Sequence, residues 1–161
     1  MDFEKRLQKA INRGETTRRL QAEEKAEREL SEEELRTMHS GYRLELSEHI
    51  EECLRKLADH FPGFTFSTLV SEEGWGARVV RDDLRFESGQ KKTLFSRFEL
   101  FIRPYSTAHI VELVAKGTVH NKEVMKQSQY QFLADFDMDT FQSMIDQRVL
   151  EFAETYASKA A

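Results

Sequence analysis

The chain has 161 residues, with 24 Lys+Arg against 29 Asp+Glu for a net charge of -5, and 39% of its residues are hydrophobic, 12 of them Phe. That is the length and apolar content of one ordinary folded domain. The acidic balance argues against nucleic acid or an anionic membrane as the main partner, because phosphate binding needs a net basic surface or patch. Cys53 is the only cysteine, so no internal disulfide can form and a reducing, cytoplasmic setting is expected. Residues 1–6 lack the apolar core of a secretory leader, and no run approaches the ~20 apolar residues that cross a bilayer.

Residues 1–30 are rich in Glu, Lys, Arg, Gln and Ala, which favour helix. Phe3, Leu7, Ala10 and Ile11 keep helical spacing, after which the apolar pattern fades and Gly14 interrupts. Extending the heptad reaches Gly14, Thr17, Gln21 and Glu24, which is no coiled-coil seam. This segment reads as a charged arm, helical in part, without a core of its own. Residues 31–161 read as one α+β domain.

Ser31 and Glu34 form the S-x-x-E pattern of a helix start. From there Tyr42, Leu46, Ile50, Cys53, Leu54, Leu57 and Phe61 fall on one stripe at about 100° per residue. His39 and Arg43 share that stripe upstream, so burial is expected to begin near Tyr42, with 31–41 beyond the core. Pro62-Gly63 ends the helix.

The period then changes to two. Strands are expected over 64–70, over 77–81 with a continuation through Leu84 and Phe86, over 93–103, over 108–119 with a bulge at Gly117, and over 124–133. Short turns between them imply an antiparallel meander. A last helix follows, with Asp139 and Gln142 as its capping pair and Phe141, Ile145, Val149, Phe152 and Tyr156 as its stripe. The expected fold is a two-layer α+β sandwich: a four- or five-stranded antiparallel sheet, one N-terminal and one C-terminal helix on one face, and the arm ahead of them.

The two sheet faces differ. Leu94, Ser96, Phe98, Leu100 and Ile102, with Val111, Leu113 and Ala115, form the face assigned under the helices. The opposite face carries Phe95, Arg97, Glu99, Phe101 and Arg103, then Ile110, Glu112, Val114 and Lys116. That mixture of aromatic, aliphatic and Arg groups resembles the composition of protein interfaces. Phe95, Arg97, Phe101, Arg103, Ile110 and Val114 are therefore candidate partner-binding residues. Trp75, set between Gly74 and Gly76, joins them as a candidate anchor.

Motifs for chemistry are sparse. There is no Gly-rich phosphate loop and no nucleophile elbow. His39, His49 and His60 are too far apart along one helix to share an ion. Glu45, His49 and Cys53 stand at i, i+4 and i+8, but a structural zinc site favours four soft ligands and the chain has a single Cys. No metal and no cofactor is expected. Asp82-Asp83 reads as a turn, and Asp135, Asp137 and Asp139 as helix-start capping groups. The basic stretch of Arg78, Arg81, Arg85, Lys91 and Lys92 is interleaved with Asp82, Asp83 and Glu87, which points to surface ion pairs.

The expected function is a non-enzymatic protein-binding or adaptor module, a homodimer acting through the open sheet face and the arm. The rival is a small-ligand binder or enzyme with a pocket between sheet and helices, for which Tyr42, Arg148 and Tyr156 are the polar candidates.

Overall fold

The computed structural model describes residues 2–159. Along the chain come α1 (Phe3–His60), β1 (Thr65–Ser71), β2 (Gly74–Glu87), β3 (Gln90–Ile102), β4 (Ile110–Val119), β5 (Lys122–Phe132), a 3-10 turn (Leu133–Asp135) and α2 (Met138–Lys159). The chain divides into two units between Thr37 and Met38.

The first unit is helical throughout from Phe3. Gly14 does not break it, since one Gly costs only about 1 kcal/mol relative to Ala among strong helix formers. Thr16 and Thr17 turn their hydroxyls back onto the carbonyls of Asn12 and Arg13, so neither competes with the helical amides. Ser31 lies inside the helix and not at its start. Preceding turns already supply carbonyl partners for the amides that a Ser31 cap would have satisfied. Phe3, Leu7, Ile11 and Leu20 are exposed.

The second unit holds the core. Its strands form one antiparallel sheet in the order β1-β2-β3-β4-β5. Tight reversals join β2 to β3 at Ser88-Gly89 and β4 to β5 at His120-Asn121, all four residues at positive φ, as two-residue hairpin turns of the right twist require. The β4–β5 register shifts between Gly117 and Thr118, the expected site of irregularity. A Cβ on Gly117 would stand 3.1 Å from the Phe152 ring, so the absence of a side chain there lets α2 sit close.

Both helices lie on one face. Leu46, Ile50, Leu54 and Leu57 of α1 and Phe141, Ile145, Phe152 and Tyr156 of α2 are buried over Ala77, Val79, Phe98, Leu100, Ile102, Val111, Leu113 and Ala115. Phe152 stacks on Phe98 at 4.4 Å between centroids, and Tyr156 meets Phe61 and Phe64 edge-on. Burial starts earlier along α1 than the sequence indicates. His39 is 2% exposed and packs edge-on against Tyr105 of the β3–β4 loop. That loop, invisible to helical periodicity, extends the covered part of α1 by a turn.

At the other end α1 closes at His60, before Pro62 and Gly63, with Gly63 at φ 110°. For α2 the cap is Asp137, not Asp139. Its carboxylate accepts from Thr140 Oγ1 at 2.7 Å and its carbonyl accepts from the Phe141 amide. The Asp139 carboxyl is already in the first helical turn. None of the described helices is long and apolar enough to cross a membrane.

Candidate functional site

The uncovered sheet face is built by strand register. Gly76, Phe101, Val114 and Ser128 form one cross-strand row; Arg78, Glu99, Lys116 and Lys126 form the next. The helix contacts all fall on the other parity: Arg55 over Phe66, Arg43 over Trp75, Phe152 on Phe98. No helix of residues 38–159 makes such a contact with the Phe101 side.

The centre of this face is nevertheless closed by its own side chains. Phe101 is 1% exposed, and Val114 and Glu99 are buried with it. Phe101 lies against Gly76 and Gly74, where a Cβ would collide with the Leu100 or Ile102 carbonyl, and Lys116 Nζ stands 5.6 Å from its ring centre. Glu99 takes Arg78 at 3.3 Å and Arg97 at 3.6 Å, and Glu112 takes Arg103 at 3.2 Å and the Ser128 hydroxyl. Phe101 and Val114, both expected as partner-binding residues, are thus a small second core at the centre of this face. Alternation along one strand could place them on this face, but could not show that two glycines on β2 stand against Phe101.

Exposed apolar groups flank that centre. Tyr130 and Phe132, 55% and 53% exposed, meet edge-on at 5.5 Å on β5. Phe132 pairs with Ile110, and Tyr130 with Glu112. On the β2–β3 ribbon, Leu84 and Phe86 are also exposed on this face, in line with half-buried Phe95 and Val80. Arg97 lies 5.6 Å from the Phe95 ring, and Arg103 is exposed. Trp75 belongs to the helix side: it pairs with Ile102, and the Arg43 guanidinium sits 4.0 Å over its ring.

The expected pocket trio separates. Tyr42 stacks on Phe136 at 4.1 Å, and Arg148 reaches Gln127 and Glu151. Tyr156 instead borders a cleft of about 340 Å³ with Phe61, Arg81, Asp83, Leu94 and His120. There Arg81 Nε donates to Asp83 at 2.8 Å and Arg81 Nη1 donates to the Pro62 carbonyl at 2.7 Å. Burial, and further the hydrogen bond to Asp83, push the Tyr156 phenol above its usual value. Asp83 is a strand residue in this cluster and not a turn residue. The i, i+2 spacing of Arg81 and Asp83, which sets both on one side of a strand, was the signal for it.

A third grouping joins the two helices. His49 Nε2 lies 2.7 Å from Asp146 Oδ1, and Cys53 Sγ lies 3.6 Å from His49 Nε2 and 3.4 Å from Asp146 Oδ1. Burial, then Asp146, push the Cys53 thiol up to about 12. Cys53 and Asp146 border an apolar groove of about 580 Å³ with Leu57, Val149 and Leu150. Glu45 is exposed and is not one of the three residues that converge.

No protein-family model, no curated protein and no solved structure matches the chain.

Proposed function

We propose that the chain is a non-enzymatic protein-binding module whose open sheet face docks a second copy of itself. The observation that carries the reading is the pairing of exposed Tyr130 and Phe132 with a face of interleaved Arg, Lys and Glu. A two-fold interface must complement itself, and a face of one charge sign would repel its copy. This face alternates both signs, and its exposed aromatics are of the kind that supply interface anchors. The exposed Phe3, Leu7 and Ile11 on the first unit offer a further apolar contact for a partner.

Sedimentation of the intact chain at micromolar concentrations is expected to give a dimer. Phe132→Glu, at an exposed site, is expected to shift it to monomer by at least about tenfold in Kd, or roughly 1.4 kcal/mol, with an unchanged circular dichroism spectrum. Phe101 is unsuitable for this test, because a charge at a buried position reports on folding. A chain that stays monomeric at every concentration would remove the homodimer. The Tyr156 cleft, with Arg81, Asp83 and His120 around it, would then be the stronger reading, as a small-ligand site.

A further inference from the structure

His49 and Cys53 are one turn apart on α1, and Asp146 faces them from α2. Their mutual geometry discriminates between two kinds of chemistry. In a nucleophilic relay the imidazole offers one nitrogen to the thiol and the other to the carboxylate. Here Cys53 Sγ and Asp146 Oδ1 both approach the same atom, His49 Nε2, and also approach each other. One sulfur, one nitrogen and one oxygen converge on a common point, all within 4.8 Å of one another.

The distances fit an ion. Tetrahedral zinc, with sulfur at ~2.3 Å and nitrogen or oxygen at ~2.0–2.2 Å, sets ligand-to-ligand edges of about 3.4–3.6 Å. The two edges that involve sulfur, 3.4 and 3.6 Å, already have that length. The nitrogen-to-oxygen edge is a hydrogen bond of 2.7 Å and has to open by ~0.7 Å when a metal replaces the shared proton. Asp146 is half exposed on α2, so its carboxylate has room to move.

We propose that His49, Cys53 and Asp146 form a binding site for a zinc-class divalent ion that clamps α1 to α2. One thiolate, one imidazole and one carboxylate suit a borderline ion such as Zn2+ better than Mg2+ or Ca2+, which favour oxygen throughout. Three protein ligands leave a fourth position for water or an added ligand. Cys53 and Asp146 also border the apolar groove, which gives such a ligand its approach. On loading, the Cys53 Sγ–H bond breaks and its proton passes to solvent as the sulfur–metal bond forms. His49 binds through Nε2 as neutral imidazole, any proton there leaving to Nδ1 or to solvent, and Asp146 binds as carboxylate.

The test uses the full-length, chelator-treated chain and the metals alone. Co2+ is expected to bind at about one equivalent, with a thiolate-to-cobalt charge-transfer band and the intense visible bands of four-coordinate Co2+, both displaced by Zn2+. Cys53→Ser should abolish the charge-transfer band, and Asp146→Asn and His49→Gln should each weaken binding by about tenfold or more. A folded wild-type chain without that band in excess Co2+ overturns the site. So does a band whose affinity survives both Asp146→Asn and His49→Gln. If Cys53→Ser fails to fold, alkylation of the wild-type thiol by iodoacetamide decides. Slowing by Zn2+ of at least about tenfold supports the site, and an unchanged rate overturns it.

Discussion

His39 shows how far one side chain departs from its sequence pattern. It is buried against Tyr105, and its imidazole is held below its ordinary 6.5, first by burial and then by the nearby Arg43 charge, against a hydrogen bond to the Arg103 backbone. The unfolded chain therefore takes up a proton more readily than the native one. The stabilisation is complete above about 6.5 and is lost as pH falls from there through the lowered native value. Urea midpoints are expected to drop between about pH 7.5 and about pH 5, and His39→Gln is expected to flatten that drop. Gly76 is the other position where one atom matters. A Cβ would stand 1.9 Å from the Leu100 carbonyl, which is backbone and cannot turn aside. Gly76→Ala is expected to cost about 3 kcal/mol in chemical denaturation, at the top of the overpacking range.

At the scale of elements, the alternation of β3 and β4 and the stripes of α1 and α2 were legible in the sequence because period two and period 3.6 are imposed by burial on one side. The ends of elements were not. Ser31 and Asp139 each carry a cap pattern, yet the cap of α2 is Asp137 and α1 runs through Ser31. A cap motif states only that a start is affordable locally; the packing of neighbouring turns decides which is used. Hydrogen bonds from Thr140 hold the Asp137 carboxyl below its ordinary 3.8. Its contribution is full above that value and is lost as pH falls through the lowered native one. Asp137→Asn, which keeps a capping oxygen but does not titrate, is expected to flatten the acid limb of a thermal-melt series, whereas Asp137→Ala lowers Tm at neutral pH.

For the whole molecule, the division at Thr37 and Met38 has a direct consequence. Among the described residues, every member of the buried apolar core lies between Leu46 and Tyr156. A chain of residues 38–161 is therefore expected to keep one cooperative unfolding transition, with a midpoint within about 1 kcal/mol of the full chain, as for substitutions remote from a core. Calorimetry would check it; loss of the transition would mean that residues 1–37 contribute to folding.

Composition and periodicity by themselves determined the α+β class, the antiparallel meander and which alternating residues lie under the helices, because each follows from local geometry and one-sided burial. Only the tertiary structure decided that Phe101 packs against two glycines on a neighbouring strand, that Trp75 belongs to the helix side, and that Asp146 meets His49 and Cys53 across 93 residues or more. Those are contacts between elements distant in sequence. Their partners depend on register and on the seating of one helix against another, which no local pattern encodes.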